Sequence, residues 1–192
     1  MQYLRPATEA PAPTQTAVIA PVQEADAVVG KHRQTLDAAA AWGVPAHVTV
    51  LYPFVEPTAV DESVIATLMA AVSSVSSFDC CFRRTQWFGE DVLWLEPEPA
   101  EPFRTLTTAV WAAFPQHPPY GGAHHDVIPH LTIAERRLAD LPALQAAEND
   151  VQSGLPLTTT IDRLVLIAGT QAPRSWSVVG ELPLGERSTV SA

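Results

Sequence analysis

Basic charge is in short supply. A single lysine, Lys31, and ten arginines stand against 21 acidic residues, so the formal net charge is −10 over 192 residues. The arginines are scattered and adjacent only at Arg83-Arg84 and Arg136-Arg137. A protein that tracks a long polyphosphate backbone normally shows a basic stripe. The sparse cations exclude long duplex nucleic acid as an expected partner and leave room for a small anionic ligand. Cysteine is equally scarce: there are two, Cys80 and Cys81, side by side. Neighbours on a strand point to opposite faces, and a bridge between them is strained. Two reduced thiols, at least one in the core, fit a reducing compartment. No charged segment followed by an apolar one opens the chain, and no apolar run approaches a membrane span in length. The expectation is a cytoplasmic protein with no membrane segment.

Several catalytic signatures are missing as well. There is no Gly-rich phosphate loop, no Gly-x-Ser-x-Gly elbow and no dinucleotide fingerprint. The cysteine pair lacks the context of a catalytic thiol. His124-His125-Asp126 suggests a metal at first sight. Adjacent histidines on a loop rarely share an ion, however, and no second cluster has ligand spacing. That run reads as a solvated or substrate-lining loop. No metal and no cofactor is expected.

What the chain does contain is one short pattern written twice. Ala46-His47-Val48-Thr49-Val50 and Pro129-His130-Leu131-Thr132-Ile133 share the order His, aliphatic, Thr, aliphatic. On an extended strand, side chains alternate between faces. His47 and Thr49 then point one way while Val48 and Val50 point the other, and the second copy behaves likewise. Breakers bound both runs: Pro45 and Pro53 around the first, Pro129 before the second. If the two strands lie side by side, four polar groups converge on one cleft. Two imidazoles near neutral pKa can serve as base and acid. Two threonine hydroxyls can donate to the non-bridging oxygens of a phosphodiester. His47, Thr49, His130 and Thr132 are therefore the candidate catalytic residues.

The text His47-Val48-Thr49-Val50-Leu51-Tyr52-Pro53-Phe54, together with Pro129-His130-Leu131-Thr132-Ile133-Ala134, resembles the 2H phosphoesterase superfamily. That superfamily comprises 2′-5′ RNA ligase-like proteins and 2′,3′-cyclic phosphodiesterases. The resemblance covers residues 16–184. It implies an α+β, bilobal fold, with two pseudo-symmetric antiparallel-sheet lobes, outer helices and a central cleft. It implies a metal-independent phosphodiesterase that opens 2′,3′-cyclic phosphates on nucleotides or RNA ends, with His130 as base and His47 as acid. Run backwards, the same site would join a cyclic phosphate to a 5′ hydroxyl. A binding module for nucleotides or RNA, without turnover, is the alternative from another class. The expected partner is a nucleotide or short RNA end, met by a monomer.

Around the tetrad, Tyr52 follows the first motif and could stack on a base or pack. Trp94 sits on a predicted hairpin with Trp87 and Phe88, where core packing competes with base stacking. Arg83, Arg84 and Arg174 are candidate phosphate contacts, with a solvated face as the alternative for each.

The remaining elements follow from pattern. Residues 1–15 read as a disordered leader and 185–192 as a loose tail. Strands are expected at 16–22, 46–52, 78–88, 92–95, 128–134, 158–168 and 175–182. Helices are expected at 24–41, 61–74, 102–114 and 138–154, the second capped by Asp61. Each half holds a His-x-Thr strand followed by a helix and a strand pair, which suggests duplication.

Overall fold

The structure is a computed structural model that describes residues 11–123 and 126–187. Among the described residues, eight strands and five α-helices follow one another. They are β1 (Gln15–Pro21), α1 (Asp26–Leu36), α2 (Ala38–Ala41), β2 (His47–Leu51), α3 (Glu62–Val72), β3 (Phe78–Phe88), β4 (Val92–Glu98), α4 (Glu101–Ala113), β5 (Leu131–Glu135), α5 (Leu141–Gln152), β6 (Leu157–Ile161), β7 (Arg163–Gly169) and β8 (Ser177–Pro183). The strands form two antiparallel sheets of four, in the orders β2-β1-β7-β8 and β5-β4-β3-β6.

Both motif strands are therefore edge strands, each in its own sheet. They approach one another across the cleft instead of pairing as ladder neighbours. Each sheet also mixes the two halves of the chain. β1 and β2 come from the first half and are completed by β7 and β8 from the second. β3 and β4 are flanked by β5 and β6. The halves are thus interleaved and do not form one lobe each.

The alternation of the motif strands survives in three dimensions. Val48, Val50, Leu131 and Ile133 are buried, while His47, Thr49 and Thr132 keep partial exposure. The buried sides of both sheets feed one large core, in which Phe82, Phe103, Leu93, Leu95 and Leu106 are the bulky members. Helices α3 and α4 cover the sheet that carries β2, and α1 and α5 cover the sheet that carries β5. Thr107 of α4 ties its helix to the first motif strand by donating to the Val50 carbonyl at 2.9 Å.

Two elements differ from the sequence expectation. The run 158–168 is not one strand. It breaks at Asp162, so that β6 joins one sheet and β7 the other. The helix expected over 24–41 is interrupted at Asp37, which adopts extended dihedrals and accepts a hydrogen bond from the Ala39 amide at 2.9 Å. Its carboxylate also binds Arg33 one turn back. A buried ion pair and a new cap together outweigh two more helical residues. Asp61 caps α3 as expected, accepting from Val64, and Asp140 caps α5, accepting from Ala143, so that this helix starts at Leu141 and not at 138.

At the C-terminal end, Gly185 exchanges backbone hydrogen bonds with Val75 and Ser77, and Arg187 pairs with Asp79. These positions, expected in a loose tail, are tied to the body. Residues 1–10 of the expected leader, His124-His125 and residues 188–192 lie outside the described residues. Among the described residues, no helix is long and apolar enough to cross a membrane. Cys80 is buried, with its thiol pushed up to about 12 by burial; Cys81 is partly exposed, and both are free.

Candidate active site

The two histidines are held by the same device. His47 Nδ1 lies 2.8 Å from the Pro45 carbonyl oxygen, and His130 Nδ1 lies 2.7 Å from the Ile128 carbonyl oxygen. A carbonyl only accepts, so each Nδ1 carries the hydrogen and each Nε2 is left as the working nitrogen. His47 Nε2 then accepts from the Thr49 hydroxyl at 3.1 Å. A backbone carbonyl two residues upstream thus fixes ring orientation and tautomer in both copies. His130 lies just before β5, so its ring stands at the strand entrance.

Two cavities hold these groups. The first, of about 350 Å³, is lined by His47, Thr49 and Tyr52 from the first motif and by Thr132 from the second, with Trp42, Glu135, Arg137 and Trp176 around them. The second, of about 520 Å³, holds His130 with Phe88, Asp91, Tyr120, Asp126 and Ile128. Tyr120 lines the second cavity, and its side chain is hydrogen-bonded to Thr49 of the first. An apolar cluster of Ala17, Ile19, Val44, Val165 and Ile167 floors the sheet beside β2, with Tyr52 and Trp176 against it. Trp176 can lie over β7 because position 169 is glycine. A Cβ there would sit 2.5 Å from Trp176 Cγ.

Electrostatics keep the histidines neutral. His47 is lowered from 6.5 to about 4, first by desolvation, then by the charge of Arg33, with His130 adding a smaller repulsion. His130 is lowered by burial, against the pull of its Ile128 hydrogen bond. Burial also pushes the Asp37 carboxyl up, and the Arg33 guanidinium opposes it.

The shift at His47 has a stability consequence. An unfolded chain gains a proton on this residue below about pH 6.5, whereas the native site refuses it until about pH 4. Native stability therefore falls as pH drops through that window, by about 3 kcal/mol from this group. His47→Gln is expected to remove that loss. Denaturant unfolding of both proteins near neutrality and at about pH 4.5 measures it.

The structure brings His47, Thr49, Thr132 and Tyr52 together in one cavity and sets His130 in the next. Trp94 is close by, paired in register with Thr132, stacked on Phe88 at 4.7 Å and edge-on to His130 at 5.9 Å. It is only 6% exposed, so it backs the histidine and offers no open face to a base. Arg83 is exposed and paired with Glu98 at 3.3 Å, and Arg84 is paired with Glu96 and Glu98, all outside both cavities. Arg174 is exposed in the β7–β8 loop, anchored by its backbone to Ala41, and lines neither cavity. Arg137 reaches the first cavity in their place, paired with Glu135. Sequence reasoning missed Arg137, Trp42, Trp176 and Tyr120. Only Arg137 carried a local signal, lying just after the second motif. Among the described residues, no cluster of three His, Cys, Asp or Glu side chains is placed to hold a metal.

Comparison with known proteins follows the same lines. The family described as the 2′-5′ RNA ligase superfamily matches residues 14–172, most of the chain and both motifs. The chain belongs to the 2′-5′ RNA ligase superfamily. No curated protein sequence matches it significantly. Among solved structures, TT0787 of Thermus thermophilus aligns with a TM-score of 0.58 at 16% identity, covering 90% of this chain and all of that one. E. coli LigT complexed with 3′-AMP aligns with a TM-score of 0.55 at 14% identity, covering 90% of this chain and 98% of LigT. LigT complexed with phosphate aligns at 0.51 and 15%, over 91% and 99%. At such identities the likeness is one of fold. The superfamily's α+β architecture of two antiparallel sheets is the one seen here.

Proposed function

We propose that this protein is a metal-independent phosphodiesterase that hydrolyses 2′,3′-cyclic phosphates of nucleotides or short RNA ends to 2′-phosphates. The supporting observation is the matched pair of histidines. Each has Nδ1–H committed to a carbonyl, which leaves Nε2 for proton transfer, and each stands two residues before a threonine of an edge strand. One Nε2 removes a proton from the attacking water as the new P–O bond forms. The other protonates O3′ as the P–O3′ bond breaks, leaving a 2′-phosphate and a 3′ hydroxyl. Thr49 and Thr132 donate to the non-bridging oxygens, where charge builds up. His130 takes the base role and His47 the acid role. In the ligand-free site His47 is neutral. The phosphate anion between the strands supplies the opposite charge that lets it hold the acid proton. The LigT complexes with 3′-AMP and phosphate add support for a nucleotide ligand. Run in reverse with a 5′-hydroxyl RNA, the same groups make a 2′-5′ linkage.

The test is incubation with each 2′,3′-cyclic mononucleotide, and with an RNA ending in a cyclic phosphate, in the presence of EDTA. A 2′-phosphate product is expected. No product from any substrate overturns the hydrolytic reading. A joined product, formed only when 5′-hydroxyl RNA is added, replaces it with the ligase direction.

A further inference from the structure

The two motifs are copies, so their symmetry alone does not say on which side of the phosphate a nucleoside lies. The cavities that hold them are not copies. The His47 cavity carries three aromatic rings from distant parts of the chain, Trp42, Tyr52 and Trp176, beside an apolar floor that includes Ile19, Val44 and Ile167. Its two carboxylates, Asp37 and Glu135, are paired with Arg33 and Arg137. The His130 cavity presents the carboxylates of Asp91 and Asp126, and among the described residues no lysine or arginine lines it. A flat base joined to a phosphate suits the first lining. The second opposes the charge of that phosphate and suits water.

Local devices set the two indoles in place. The Trp176 amide donates to the Trp42 carbonyl at 3.0 Å and the Arg174 amide to the Ala41 carbonyl at 3.1 Å, so the turn before β8 is clipped to the turn after α2. Gly43, at φ 97°, permits the close approach: a Cβ there would lie 3.2 Å from Arg174 Cα. Gly169 leaves room for the Trp176 ring. Both indoles are partly exposed, and among the described residues neither has an aromatic partner. Trp94, by contrast, is buried and stacked on Phe88. We propose that Trp42 and Trp176 form the subsite for the nucleobase of the cyclic phosphate, stacking on it and so placing O3′ at His47. The inference rests on the two-histidine reading above. In that reading the entering and leaving oxygens stand on opposite sides of phosphorus, with His130 on the water side and His47 on the O3′ side. O2′ and O3′ belong to one ribose, so the nucleoside lies on the His47 side, where the indoles are. Stacking is sequence-tolerant, because every base has a π-face. Gln171, which also lines this cavity, carries an amide that can both donate to and accept from a base edge.

Titration calorimetry of the full chain with adenosine 2′-monophosphate, the product form of the ligand, tests this without turnover. Trp42→Ala and Trp176→Ala are each expected to weaken binding about tenfold, the scale of one base–indole stack. Trp176→Phe keeps a ring and should stay within about threefold of the unsubstituted protein. Trp111→Ala, exposed on α4 and lining neither cavity, should change nothing. On adenosine 2′,3′-cyclic phosphate the two alanine variants are expected to raise KM about tenfold with kcat within about threefold, because stacking serves bound substrate and transition state alike. Circular dichroism confirms that each variant is folded, and if Trp176→Ala does not fold, Trp42→Ala decides alone. Unchanged affinity in a folded alanine variant overturns the proposal. So does a Trp176→Phe protein as weak as the alanine variant, an equal loss in Trp111→Ala, or no saturable binding by the unsubstituted protein. Nucleotide binding that depends on both indoles, with no hydrolysis, overturns the hydrolytic function and leaves the base subsite standing.

Discussion

Replacing His47 or His130 by alanine is expected to cut turnover of a 2′,3′-cyclic phosphate by about 10²- to 10⁴-fold each. The reason is geometric as much as chemical. Each ring is locked through Nδ1 to a carbonyl two residues upstream, so its Nε2 has one direction in which to work. Neither threonine can take over, because a hydroxyl near neutral pH is a poor base and a poor acid. In the proposed mechanism the two rings serve one displacement, so the double replacement is expected to lose little more than the worse single one. Fully additive losses would mean two independent roles. Single-turnover rates for the four proteins, with circular dichroism to confirm that each is folded, make the comparison. A His130 variant that keeps wild-type turnover would remove the second motif from the chemistry.

The second large effect is structural and lies behind the first motif. Arg33 is 4% exposed and Asp37 2%, and their charged groups meet at 2.7 and 2.9 Å. Arg33 also donates to the Val44 carbonyl at 3.3 Å, close to the start of β2. Arg33→Met leaves the Asp37 carboxylate in a dry site with the Ala39 amide as its remaining bond. Breaking one side of a buried pair costs about 3 to 5 kcal/mol. The urea midpoint is expected to fall accordingly with an unchanged slope. The same substitution removes the positive charge that disfavours protonated His47. His47 should therefore titrate at a higher pH in Arg33→Met. A loss of stability under about 1 kcal/mol, with His47 unmoved, would show that water reaches this pair freely.

The motif strands were legible because a two-residue period is enough to place His and Thr on one face and Val, Leu and Ile on the other. Asp61 revealed its helix start because capping is a local interaction. Asp37 was not legible as a breaker. Its effect depends on Arg33, and nothing in the four alanines that follow argues against a continuous helix. The division of 158–168 between two sheets was equally hidden, because β-branched residues suit both strands and Asp162 alone marks the crossing. Site residues divide in the same way. Tyr52 and Arg137 sit next to a motif in sequence. Trp176 and Tyr120 arrive through sheet pairing and a turn, which one-dimensional spacing does not encode. Arg83, Arg84 and Arg174 show the converse. Charge alone suggests phosphate contact, whereas the acidic partners that occupy Arg83 and Arg84 lie on the opposite strand and depend on the register of β3 against β4.

The interleaving of the sheets also bears on synthesis. On a ribosome, β1 and β2 emerge first, yet positions 15–19 of β1 pair with β7, which begins only at Arg163. Every strand of the other sheet is available once Ile161 has emerged. The middle sheet can therefore close during translation. The far edge of β1 must wait unpaired, with Ile19 uncovered, until β7 arrives. Long-range pairing of this kind slows folding and prolongs the exposure of sticky edges. The proposed site is thus completed late in elongation, and a product stopped short of β7 carries both motifs without the full sheet that holds the first of them.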